Sequence, residues 1–324
     1  MKRFYLILTA LLLTFALFSG CSGDGAPESG RISIVTTIFP IYDWVRQIIG
    51  EENMDAFDLS FVINSRVDLH SYNPSVSDIA RIKTSDAFIY VGGHSDDWVA
   101  DVLRDAGPDM VTLNLLGILG DFVIRGEEYG CGDDCDDDHD HAPGQLHTDE
   151  HVWVSLRRVE VICAAIAAVL SELDPANAGA YNANLKAYTA RLSALDAEYQ
   201  AVADAADVKT LVFADRFPFR YLIQDYGLTH FAAFAGCSAE TEASFSVIIS
   251  LADVVNRLEL NAVMVTETSD QSIARTVIGN TAAKNQRILV LDSLKSVTLA
   301  DARNGASYLS AMESNLAVLK EALN

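Results

Sequence analysis

The order of segments predicts an α/β protein of two lobes, each built on a mainly parallel sheet and joined by a long rigid linking helix. Three observations carry this expectation. Short runs of β-branched and aromatic residues alternate with helical stretches, as in parallel sheets covered by helices. These runs fall into two sets, one between Ile32 and Leu115 and the other between Thr210 and Leu291. Between the sets, roughly from Arg157 to Asp207, no strand signal occurs, and Tyr181, Leu185, Tyr188, Leu192, Leu195 and Tyr199 form an apolar stripe of helical period.

The first segment reads as an address. Lys2 and Arg3 precede an apolar run from Phe4 to Phe18, too short for a comfortable membrane span, and Ser19-Gly20 then lead into Cys21. Leu17-Phe18-Ser19-Gly20-Cys21 resembles a bacterial lipobox. Residues 1–20 are therefore expected to be a lipoprotein signal peptide and Cys21 the lipidated first residue. Residues 21–30 then form a flexible tether, which places the protein outside the cytoplasmic membrane.

The N-terminal lobe, residues 31–156, carries strand runs at Ile32–Thr36, Phe57–Ile63, Ala87–Gly92 and Met110–Leu115, with an acidic His/Cys loop at 127–148. In the linking helical region, 157–207, Asp174-Pro175 breaks one helix and restarts the chain, because proline lacks an N–H and disfavours helix at the preceding residue. The C-terminal lobe, 208–324, carries Thr210–Ala214, His230–Phe234, Ala262–Thr266 and Ile288–Leu291. Cys163, within the apolar Val161–Ala165, is expected to be a small buried hydrophobe. Cys131 and Cys135 are spaced to close a small loop in a compartment that permits disulfides.

Composition narrows the partners. An apolar fraction of 50% with 21% charged residues is that of a core-forming protein. With 23 Lys+Arg against 45 Asp+Glu the net charge is −22, which argues against nucleic acid, whose phosphates are bound by clustered cations.

In open parallel sheets ligands bind beyond the carboxyl ends of the strands. Several metal-capable side chains stand there: His70 after the second strand run, Asp215 after Thr210–Ala214, Glu267 after Ala262–Thr266 and Asp292 after Ile288–Leu291. His151 lies beside a helix start. Neutral imidazoles with carboxylates from the other lobe make a shell suited to zinc or manganese in a cleft between the lobes.

The residues around these positions carry a family resemblance. His70-Ser71-Tyr72-Asn73-Pro74-Ser75 followed by Asp78 resembles the His-x-Tyr-x-Pro-Ser/Thr-x-x-Asp segment of the zinc and manganese substrate-binding lipoproteins of ABC transporters. Asp149-Glu150-His151-Val152-Trp153 resembles that family's Asp-Pro-His-x-Trp. Asp174-Pro175-Ala176-Asn177-Ala178, Tyr181, Asn184 and Tyr188 resemble the start of its linking helix; Tyr226-Gly227-Leu228, Glu240-Thr241-Glu242-Ala243-Ser244 and Leu291-Asp292-Ser293-Leu294 match its second lobe. The resemblance implies His70, His151 and Asp292 as metal ligands, a monomer anchored by lipid, and delivery of metal to a membrane permease.

The third ligand departs from the pattern. Aligning on Tyr221 and Tyr226-Gly227-Leu228 puts Arg216 where the family has a histidine, and a guanidinium cannot ligate a cation. Asp215 beside it, Glu267, His94 in Gly92-Gly93-His94 and Cys237 are the replacements to weigh, Glu267 equally as a carboxylate that orients other groups. In the acidic tract, Cys131, Cys135, His139, His141 and His147 stand among aspartates, a composition suited to transient zinc capture, although a plain solvated acidic loop has the same look. The loop favours Zn2+; an oxygen-rich shell of Asp215, Glu267 and Asp292 would favour Mn2+. The expected function is capture without catalysis. A secreted zinc hydrolase is the alternative from another class, against which the chain lacks His-Glu-x-x-His and Gly-x-Ser-x-Gly. A metal-stabilised surface adhesin is the third.

Overall fold

The computed structural model describes residues 30–64, 67, 69–126, 147–234 and 243–324; contacts divide the chain into Met1–Arg31 and Ile32–Asn324, and all that follows concerns the second unit. Its N-terminal sheet contains β1 (Ile32–Thr36), β2 (Phe57–Phe61), β3 (Ala87–Tyr90) and β4 (Val111–Asn114) in the order β2-β1-β3-β4, all parallel. A two-residue antiparallel pair, β5 (Arg125–Gly126) with β6 (His147–Thr148), follows. The C-terminal sheet contains β7 (Thr210–Phe213), β8 (Thr229–Ala232), β9 (Ala262–Thr266) and β10 (Arg287–Leu291) in the order β10-β9-β7-β8, again parallel. The two-lobe α/β architecture expected from the sequence is the one found.

Helices Phe39–Ile49, Val76–Lys83 and Asp97–Arg104 make the crossovers of the first sheet, and Arg220–Asp225, Phe245–Arg257 and Ser272–Asn280 those of the second. The central strand β9, Ala-Val-Met-Val-Thr, is buried along its whole length, which is why it reads as a continuous apolar run. Most strands end one or two residues before the apolar run does. Val62 and Ile63 stay buried and still donate to Thr36 O and Thr37 O, whereas after β3 the chain turns through Gly92 and Gly93, with φ of 88° and 84°.

In each sheet the first strand lies between the second and the third, so the order reverses at β1/β3 and at β7/β9. A crevice opens at such a reversal, outside the carboxyl ends. The two sheets thus present equivalent rims, and the expected ligand loops leave from them.

Helix Leu156–Leu173 ends at Asp174, whose Oδ2 accepts from Tyr181 Oη at 2.6 Å and Asn177 Nδ2 at 2.8 Å while Pro175 restarts the chain. Helix Ala178–Ala205 then runs for 28 residues with Tyr181, Tyr188, Leu192, Leu195 and Tyr199 buried; Leu185 is only partly covered. It packs on Leu156–Leu173, on Phe39–Ile49 of the first lobe and on the last helix, Tyr308–Ala322. One hydrophobic core runs from the first sheet through these helices to one face of the second sheet, while a smaller cluster lies between the other face and helices Phe245–Arg257 and Ser272–Asn280. Cys163 is a fully buried free thiol within the larger core.

Candidate metal centre

His70 sits in the turn Leu69–Ser71, pinned by buried Leu69, and the sequence behind it is a self-locked helix start. Ser75 caps Val76–Lys83: its Oγ accepts from Asp78 N at 3.2 Å, and the Asp78 carboxylate accepts from Ser75 N at 3.0 Å and Tyr72 Oη at 3.0 Å. Burial opposes ionisation of Asp78, but the Ser75 and Tyr72 hydrogen bonds and Arg81 hold its carboxyl below the ordinary value. The His-x-Tyr-x-Pro-Ser-x-x-Asp pattern is thus a scaffold that fixes the loop carrying His70.

His151 precedes the turn Val152–Val154, whose side chains are all buried, and helix Leu156–Leu173 follows, capped by Ser155. Asp149 Oδ1 accepts both His151 N at 2.9 Å and His151 Nδ1 at 2.8 Å. Burial works against the Asp149 charge, yet His151 holds this carboxyl below its usual value. A carboxylate on Nδ1 fixes the tautomer of neutral His151, with its lone pair on Nε2.

The two imidazoles meet. His70 Nε2 and His151 Nε2 are 3.4 Å apart, with ring centroids at 5.3 Å. On its other side His70 Nδ1 lies 2.5 Å from Ser95 Oγ and 3.7 Å from Glu150 Oε2.

The C-terminal rim is organised by carboxylates that brace one another's loops. Asp215, after β7, accepts Thr266 N at 3.0 Å and Thr266 Oγ1 at 2.8 Å. Glu267, after β9, accepts Ser293 N at 2.9 Å and Ser293 Oγ at 2.8 Å, one on each carboxylate oxygen. Asp292, after β10, is held by its backbone: Asn315 donates to its carbonyl and accepts from its N–H, both at 2.8 Å, while its Oδ1 caps Leu294 N at 2.7 Å. Burial, and then the charge of Glu267, push the Asp292 carboxyl up to about 6.

Of the expected donors, His70 and His151 are brought together and Asp292 follows β10 at the end of the C-terminal sheet, while Asp215 and Glu267 are engaged in holding strand ends. Among the described residues no group of three or more His, Cys, Asp and Glu side chains is close enough to hold a metal. His94 points away: its side chain is 93% exposed and paired with Asp97 at 2.7 Å. Cys21, Cys131, Cys135, His139, His141 and Cys237 lie outside the described residues, and His147 is described only as part of β6. Sequence reasoning did not assign roles to Ser95, Glu150, Asn315 or the Trp153–Ser293 bond. Only the Asp-x-His spacing of Asp149 and His151 carried a local signal for any of the groups behind the two rings.

Comparison with known proteins assigns the chain to a family. The model of the family described as ZnuA, zinc-uptake complex component A, periplasmic, matches residues 34–322. The zinc-binding lipoprotein AdcA of Streptococcus pneumoniae is 30% identical over 99% of the chain, which spans 61% of that relative's length. The high-affinity zinc uptake system protein ZnuA of Bacillus subtilis is 27% identical over 98% of this chain and 96% of its own. The Zn(II)-bound ZnuA-like domain of Streptococcus pneumoniae AdcA superposes with a TM-score of 0.70 at 28% identity, covering 91% of this chain and 99% of that domain. The chain belongs to the ZnuA family of zinc-uptake component A proteins.

Proposed function

We infer that this chain captures zinc outside the cytoplasmic membrane and hands it to the permease of an ABC importer. The observation that carries the reading is the pair of Nε2 atoms 3.4 Å apart, one ring backed by a carboxylate. Two imidazoles suit zinc, and manganese, which prefers oxygen donors, is the competitor. In this reading His70, His151 and Asp292 hold the ion, Asp215 and Glu267 keep the second rim in shape, and water takes the place that Arg216 denies to a histidine.

Lipidated Cys21 anchors the protein as a monomer, and the tract 127–148 collects metal for the cleft. The match to AdcA and to the Zn(II)-bound AdcA domain supports the cargo assignment. The test is competitive Zn2+ and Mn2+ titration of the soluble form beginning after Cys21, beside a His70→Ala, His151→Ala double variant. Tight stoichiometric zinc, lost in the double variant, is the expected result. Equal affinity in both proteins overturns the assignment.

A further inference from the structure

Glu150 occupies the place of the proline in the Asp-Pro-His-x-Trp pattern, and its surroundings are specific. Its side chain is 6% exposed. Oε1 accepts Ser95 N at 2.9 Å, whereas buried Oε2 has no hydrogen-bond partner. A buried carboxylate oxygen left so is costly. Gly93, at φ 84°, gives the side chain its room, since a Cβ there would lie 2.5 Å from Glu150 Oε1.

Proton positions follow from the acceptors. Ionised Asp149 can only accept, so neutral His151 carries its proton on Nδ1 and a lone pair on Nε2. The contact between the two Nε2 atoms is then a hydrogen bond only if His70 donates, and a neutral His70 in that state accepts the Ser95 hydroxyl proton at Nδ1. This tautomer cannot ligate through Nε2. A metal between the rings requires the His70 proton on Nδ1, where it needs an acceptor.

We propose that Glu150 Oε2 is that acceptor: a positioning residue that takes the His70 Nδ1–H when zinc arrives, so that the adjacent carboxylates Asp149 and Glu150 each hold one imidazole. The inference rests on the zinc reading above. His70 keeps one proton throughout, released from Nε2 to solvent and regained at Nδ1. A ring shift of about 1 Å closes the present gap of 3.7 Å to hydrogen-bond length.

The test is Glu150→Gln in the soluble form beginning after Cys21. Glutamine keeps an acceptor for Ser95 N but turns an N–H2 toward His70 Nδ1, which favours the tautomer that cannot ligate. Imidazole 15N spectra of the wild type should show the His70 proton on Nε2 without metal and on Nδ1 with zinc. The variant should bind zinc about 10–100-fold more weakly, with metal-free thermal unfolding no lower than wild type. Ser95→Ala, which leaves the carboxylate in place, should lose less. Wild-type zinc affinity in Glu150→Gln, or a His70 proton on Nδ1 in metal-free wild type, overturns the proposal alone. Absence of zinc binding by the wild type overturns the zinc reading and this proposal together.

Discussion

The indole of Trp153 donates to the carbonyl of Ser293 at 2.8 Å, joining residues 140 positions apart. Trp153 lies two residues after His151, and Ser293 directly follows Asp292. The bond therefore ties the imidazole rim to the carboxylate rim. Tyr221 Oη donating to Asp149 O at 2.6 Å and Tyr308 Oη donating to Trp153 O at 2.7 Å reinforce the same junction. With a core shared by both lobes, closure around a ligand should be limited to small movements.

Trp153→Phe keeps most of the ring and removes this bond. Stability should fall by about 1–3 kcal/mol, the cost of an unsatisfied buried carbonyl, and zinc should leave faster. Thermal unfolding and stopped-flow release to a chelator measure the two effects, and unchanged release would mean that the rims are coupled by other contacts.

Asp149→Asn keeps the shape beside His151 but loses the charged acceptor that fixes its tautomer. Zinc affinity should drop by about 10–100-fold while His151 stays in place. Titration with a competing chelator reads the loss.

Ser75→Ala touches no metal donor, yet it removes the cap that fixes the His70 loop. A loss of about 1 kcal/mol in stability is expected, with a weaker affinity for zinc. Retained affinity at reduced stability would show that the loop is held without the cap.

Acid should act through Asp292, whose folded carboxyl is raised from 3.8 to about 6 by burial and by Glu267. Between these values the folded state holds more protons than the unfolded one, so this group makes the metal-free protein less stable as pH rises through the window. With Asp292 as the proposed zinc ligand, binding needs the ionised carboxylate, so affinity should run the other way and fall as pH drops below about 6. Asp292→Asn should flatten the first dependence, measured by denaturant unfolding from pH 4 to 7, and weaken zinc binding at pH 7.

Deletion of 127–146 should slow uptake at limiting zinc and leave cleft affinity unchanged. Uptake assays with chelated medium, paired with titration of the purified variant, separate recruitment from binding; normal uptake would reduce the tract to a solvated loop.

The eight strands of the two parallel sheets, the linking helix with its break at Asp174-Pro175, and burial of Cys163 were legible in the sequence because each depends on local periodicity or on proline's missing N–H. The placement of His70, Asp215, Glu267 and Asp292 after strand ends was legible for the same reason. Which carboxylates brace a neighbouring loop was not. Glu267 is committed to Ser293 and Asp215 to Thr266, partners 26 and 51 residues away, and no spacing encodes such pairs. His94 resembles a ligand in sequence, but the turn after Gly93 directs it to solvent. The meeting of His70 with His151, 81 residues apart, follows from loops of one lobe converging at a rim. Sequence thus determined the elements and the donor chemistry on offer. Tertiary structure alone decided the hydrogen-bond partner of each donor, because that depends on which distant backbone groups packing brings within about 3 Å.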